Sequence, residues 1–305
     1  DKLADNVTGL YGTEWATSST FPKSDYVLKE GRPVGLVRGL TADGFYTTDD
    51  FTYENGVYTL KKGVADVSSA VFPNYHLHNG INERPAGQLA YPGMAKFKDL
   101  NDDGIINDDD VDVIGDMTPV HTGGFNINAT YKNFDLGLYF NWSYGNEIYN
   151  VNKLAALYGY KEGAVYENKL SIVKDCYKIY DVVNGELVAL TTPEQLNAAN
   201  ANAKLPLAYS ENGYVSTLGI EDGSYLRLNT LTLGYTLPKS ILQKAGISNL
   251  RVYGSIYNVF TITGYSGIDA EVSTSTSTKT YPQLGMDWGT YPRARSFVLG
   301  VNLSF

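Results

Sequence analysis

The densest run of chemistry-bearing side chains is Asp99-Leu100-Asn101-Asp102-Asp103-Gly104-Ile105, which continues through Ile106 and Asn107 to Asp108-Asp109-Asp110. Oxygen donors at Asp99, Asn101 and Asp103, a turn glycine at Gly104, the Ile105 carbonyl and a closing Asp110 follow the spacing of a calcium loop. Ca2+ takes several hard oxygens, and this spacing wraps the backbone so that alternate side chains converge. The closing residue is Asp rather than the longer Glu, which shortens its reach and predicts modest affinity. The expectation is a structural Ca2+ site formed by Asp99, Asn101, Asp103, Ile105 and Asp110, one that stiffens a loop and catalyses nothing. The competing description is a solvated, Asx-rich acidic turn with no ion.

Other reactive side chains form no such pattern. His76, His78 and His121 are the only histidines. The first two approach one ligand only on extended backbone, and without a third ligand they read as ordinary loop residues rather than a zinc site. Cys176, in Lys174-Asp175-Cys176-Tyr177, has no assignable base and reads as a small buried residue. No nucleophile elbow or phosphate-cradling glycine loop is present, so the sequence points away from an enzyme. Tyr158, Tyr160, Tyr166, Tyr281, Trp288 and Tyr291 offer flat rings for stacking, but most such rings pack loops together and none is singled out as a ligand contact.

The elements that must position these residues are strands. Lys+Arg 24 against Asp+Glu 33 leaves a net charge of −9, a poor match to a phosphate backbone, so nucleic acid is set aside. No run of about 18 apolar residues exists, which excludes a transmembrane helix and says nothing about a membrane β-barrel. Period-two alternation recurs at about 124–131, 134–144, 225–237, 250–263 and 295–305. In the second segment Phe134, Leu136, Leu138, Phe140, Trp142 and Tyr144 alternate with Asp135, Gly137, Tyr139, Asn141 and Ser143. In the last, Phe297, Leu299, Val301, Leu303 and Phe305 share one parity, broken only by Val298. Leu226 and Leu228 are out of phase with Leu231, Leu233 and Tyr235, which predicts a bulge near Asn229. Asn258 interrupts the apolar side of the fourth segment.

The polar parity is mostly Asn, Ser, Thr, Gly and Tyr, suited to a water-filled bore, and Tyr131, Phe134, Trp142, Tyr144 and Phe305 stand at strand ends, where bilayer interfaces favour amphipathic rings. Links alternate between short (Lys132-Asn133; Pro238 to Asn249, with a short helix stopped at Gly246) and long (145–224; 264–294). Outer-membrane barrels show that asymmetry, with short turns periplasmic and long loops external. The expected class is therefore all-β, a transmembrane antiparallel β-barrel, with residues 1–123 a mostly extracellular loop region carrying the 99–110 calcium loop and 124–305 holding the barrel strands. The low-complexity run Ser273–Thr278 reads as a flexible loop tip. Five strands leave open edges that hydrocarbon does not tolerate, so an upstream part of the same barrel is expected, with outer-membrane lipid around it. Two alternatives from other classes are a soluble extracellular calcium-stabilised carbohydrate-binding or adhesion β-module and a surface hydrolase.

A family resemblance adds to this reading. Val27-Leu28-Lys29-Glu30-Gly31-Arg32-Pro33-Val34-Gly35, the acidic loop running into Val113-Ile114-Gly115, and Thr122-Gly123-Gly124-Phe125-Asn126-Ile127 carry its first part. Tyr131-Lys132-Asn133-Phe134-Asp135-Leu136, Ser224-Tyr225-Leu226-Arg227-Leu228 and Leu233-Gly234-Tyr235-Thr236-Leu237-Pro238 continue it, followed by Leu250-Arg251-Val252-Tyr253, Asn258-Val259-Phe260-Thr261 and Tyr291-Pro292-Arg293 leading to Phe305. In order and spacing the chain resembles the SusC/RagA-type TonB-dependent transporters of the Gram-negative outer membrane. The resemblance implies a barrel of about 22 strands, of which this chain supplies the C-terminal part with its C-terminus in the periplasm. It further implies import of oligosaccharides or peptides beneath a SusD-type surface lipoprotein, energised by the TonB system through a plug region not in this chain. A terminal Phe305 after an alternating strand resembles the signal read by the barrel assembly machinery.

Overall fold

The five alternating segments build one antiparallel sheet, hydrogen-bonded in chain order: β1 (His121–Tyr131), β2 (Phe134–Tyr144), β3 (Tyr225–Thr236), β4 (Asn249–Thr263) and β5 (Ser296–Ser304). The structure is a computed structural model and describes residues 8–12, 20–69, 84–158, 170–208, 213–243, 246–272 and 284–305. β1 begins at His121 rather than at 124, because His121 and Thr122 continue the ladder opposite Tyr144 and Ser143. Between β1 and β2, Lys132 takes a left-handed φ of 52°, the twist a two-residue hairpin link requires. The link from β3 to β4 carries a short helix, α3 (Lys239–Leu242), with Pro238 at its N-cap.

The register shift lies where the parity of β3 changes. Leu228 pairs with Phe140 and Thr230 with Tyr139, so Asn229 is the extra residue. On the other side of β3, Leu228 pairs with Phe260 and Thr230 with Tyr257, leaving Asn258 and Val259 opposite Asn229. Asn258 has φ 54°, a region Asn enters more readily than most residues. Its amide donates to the Arg293 carbonyl at 3.0 Å, so the polar group that interrupts the apolar parity is hydrogen-bonded. The irregularity re-phases the sheet, so Leu226 and Leu228 join Phe140, Trp142, Phe260 and Ile262 on one side.

Leu228, beside the irregularity, is buried and Leu136, Leu138, Phe140 and Trp142 are half-buried, but much of the rest of that apolar side is bare. Phe134 is 49% exposed, Leu303 46%, Phe297 71% and Leu299 88%. A water-soluble sandwich would cover these side chains with a second sheet, and among the described residues nothing covers them. The soluble-module alternative fails here, since an apolar surface of this extent in water would carry a large transfer cost. No helix among the described residues is long and apolar enough to cross a membrane.

The packed core lies off the sheet. Tyr26, Val37, Leu40, Tyr46, Tyr58, Met94, Ile106, Tyr149, Leu154, Leu196 and Tyr214 are buried together. They come from segments 20–120 and 145–222, whose short strands pair locally, as when Leu36–Leu40 receives Val111–Asp116 antiparallel. Helices α1 (Val151–Tyr158) and α2 (Pro193–Ala199) pack into the same body. α2 starts by a capping box in which Thr192 accepts from the Gln195 N–H and Gln195 reaches back, with Pro193 at the first turn. Residues read from sequence as mainly loop thus form a body of short paired strands, too short for alternation to disclose.

Candidate functional site

The inner face of the sheet is polar and ordered by a charge pair. Asp135 on β2, Gly234 on β3, Tyr253 on β4 and Gly300 on β5 stand in one row across the strands. Arg251 reaches from β4 over Gly234 to Asp135, its Nε 2.9 Å from Oδ1 and a terminal nitrogen on Oδ2. A Cβ at Gly234 would collide with both partners, so glycine is what lets this bidentate pair lie flat against the wall. The guanidinium also sits 4.8 Å from the Tyr253 ring centroid. Next along, the Thr232 and Ser255 hydroxyls share a hydrogen bond of 2.8 Å. Asp135, Thr232 and Arg251 border a recess of about 360 Å³ whose lining joins the polar Asn126, Asn128, Thr130 and Thr230 to the apolar Ala129, Leu136 and Leu138. Its amides, hydroxyls and paired charges can hydrate and hydrogen-bond a polar solute; they do not assemble a nucleophile beside a base.

Nearer the body, Arg227 of β3 is buried among acids from the segment after β4. Its Nε donates to Thr261 Oγ1 at 2.9 Å, one terminal nitrogen meets Asp269, and the other lies 3.0 Å from Glu271. Arg227, Asp135 and Arg251 were not among the residues singled out from sequence as candidates. A charged side chain on the polar parity of a lumen-lining strand was the available signal.

Glu221, between wall and body, accepts from Ser266 N and Oγ at 2.9 Å each and from Lys153 Nζ at 3.1 Å. Burial pushes its carboxyl up, but the Ser266 hydrogen bonds and the Lys153 charge outweigh that and hold it below the ordinary carboxylate value. The Tyr265 hydroxyl is pushed well up by burial and by its bond to Asp287 at 2.6 Å.

The acidic loop has the wrapped backbone its spacing requires. Asp99 accepts from Asp103 N at 3.2 Å and Gly104 N at 2.7 Å, and Asp103 accepts from Ile105 N at 2.8 Å. Gly104 has φ 86°, which its lack of Cβ makes strain-free. Asp110 is fully buried, receiving Leu100 N at 2.7 Å and Asn107 N at 2.8 Å on its two oxygens. The loop therefore closes on backbone N–H groups. Among the described residues, no three His, Cys, Asp or Glu side chains stand grouped as metal ligands.

The remaining candidates scatter. His121 accepts from Trp142 Nε1 at 3.0 Å and stacks on Tyr144, within the aromatic end of β1 and β2. Cys176 is buried, and burial with Asp175 nearby pushes its thiol up to about 11, away from nucleophilic character. Tyr291 is exposed and Trp288 partly so. His76, His78, Tyr160, Tyr166, Tyr281 and the run Ser273–Thr278 lie outside the described residues, as does the side chain of Tyr158.

No protein-family model matches the chain. Among curated proteins it is similar to TonB-dependent receptor P3 of Formosa agariphila, 30% identical over 284 residues, 92% of this chain and 23% of that receptor. It is also similar to TonB-dependent receptor SusC of Bacteroides thetaiotaomicron, 34% identical over 136 residues, 42% of this chain and 12% of that receptor. Among solved structures it is similar to the RagAB peptide importer in its closed-closed state, with TM-score 0.58 and 20% identity, covering 92% of this chain and 24% of that one. The chain thus spans about a quarter or less of these relatives, and its open sheet matches a piece of their barrel. The apolar outer face, the polar inner wall and a likeness running along most of its length lead to one conclusion: the chain belongs to the SusC/RagA-type TonB-dependent receptors, as a partial region of the barrel.

Proposed function

We propose that this chain is the strand-and-loop portion of an importer in the outer membrane of a Gram-negative bacterium. In this reading the wall bearing Asp135 and Arg251 lines the bore, the packed body and the other long links lie outside the cell, and the C-terminus is periplasmic. No bond is made or broken. An oligosaccharide or peptide passes the polar wall, with a SusD-type lipoprotein as the surface partner and the TonB system acting through a plug elsewhere in the protein. The observation that carries this is the largely bare apolar face of the five-stranded sheet, backed by a polar opposite face. The experiment is uptake by cells of fluorescent oligosaccharides and peptides, with the gene for the protein carrying this chain deleted and restored. Uptake of one class that needs both this protein and TonB is expected; uptake unchanged by the deletion for both classes would remove the importer reading.

Ca2+ at the acidic loop belongs to the same proposal. The oxygens of Asp99, Asn101, Asp103 and Asp110 and the Ile105 carbonyl are the donors that would hold it, and an ion there would add charge neutralisation to an already wrapped turn. A carboxylate oxygen that accepts one N–H keeps a further lone pair for a cation, so the observed hydrogen bonds and such an ion are compatible.

A further inference from the structure

Two arginines and two acids join three separate stretches of chain above the polar wall. Arg227, 2% exposed, is held by Thr261, Asp269 and Glu271, and its guanidinium lies 5.4 Å from the Tyr225 ring centroid. Arg293, just before β5, supplies a second cation, 3.4 Å from Asp269 Oδ2 and 3.0 Å from Glu271 Oε2. The four charges cancel. On its other flank the same segment is held by the body: Ser266 by Glu221, Tyr265 by Asp287, and Tyr265 with Ala270 against Ile148. The Thr263 hydroxyl donates to the Ser224 carbonyl at 2.9 Å, at the point where segment and sheet part.

We propose that residues 264–272 are an ionic strap that clamps the packed body to the inner wall of the barrel, with Arg227 as its anchor. The physical reason is burial. A charge pair withdrawn from water is screened little by salt and leaves an uncompensated charge when one partner is removed, so the arrangement is held or broken as a unit. The partly exposed Arg293 trims the cluster from outside. A body clamped in this way does not swing as a lid on this sheet, and any opening at the surface falls to parts of the assembly other than this contact.

The test measures the distance between spin labels at Thr59→Cys in the body and Ile262→Cys on the sheet, in a Cys176→Ser background of the full outer-membrane protein. The unmodified strap is expected to give one narrow distribution. Arg227→Ala should broaden it at least about twofold and Arg293→Ala much less, because only the first strands buried charges. Should Arg227→Ala fail to assemble, the combination of Arg227→Met, Asp269→Asn and Glu271→Gln removes the clamp without leaving an orphan charge inside. Broadening in that combination supports the strap. A width equal to that of the unmodified strap, in a protein whose barrel retains its folded gel mobility, overturns it.

Discussion

Asp135 and Arg251 show how a single pair acquires meaning from its neighbours. In sequence they are a carboxylate and a guanidinium far apart on two polar-parity positions; in the sheet, Gly234 between them opens the space that lets them meet. The acidic loop is the converse case, since its residues are contiguous and their spacing alone wraps the backbone so that Asp99 receives Gly104 N. Whether that wrap holds an ion is decided by measurement. If Ca2+ stiffens it, Asp99→Ala combined with Asp103→Ala should raise the rate of proteolytic cleavage within 99–110 by roughly the same factor as chelation. A loop stiffened by the ion opens less often, and cleavage follows the open fraction. Identical peptide ladders with calcium and with chelator, beside faster cleavage in the double variant, would leave only the hydrogen-bonded turn.

At the level of elements, strand alternation was legible because a two-residue period in sequence is the same two faces in space. The out-of-phase leucines 226 and 228 gave away the irregularity at Asn229, and the observed register shift lies there. What alternation could not disclose was the opposite strand. Val298, which breaks the pattern of β5, pairs with Ser255 on the water-facing side. This distinction gives a sharp comparison between adjacent residues. Leu299→Lys, on the apolar side near mid-strand, should destabilise the membrane-inserted barrel by about 2–4 kcal/mol, whereas Val298→Lys should cost under about 1 kcal/mol. Urea unfolding in lipid vesicles measures both, and equal costs would mean that the two faces do not see different solvents.

On the scale of the whole molecule, the chain divides its apolar residues between two solvents. Those of the body are buried against one another, while many of those of the sheet, Phe134, Ile262, Phe297, Leu299 and Val301 among them, stay uncovered. The protein carrying this chain should therefore leave the membrane only in detergent and migrate differently on gels when unheated and when boiled, because a closed barrel resists unfolding by detergent at room temperature. Recovery as a monodisperse species in plain buffer would contradict the membrane assignment. The sequence by itself determined the five long strands of the sheet, their polarity and the acidic turn, since each depends on residues close together in the chain. Tertiary structure alone decided the body's core, the Asp135–Arg251 pair and the strap around Arg227, because those contacts join residues distant in sequence, and no local period records which distant partner a buried charge or a two-residue strand will meet.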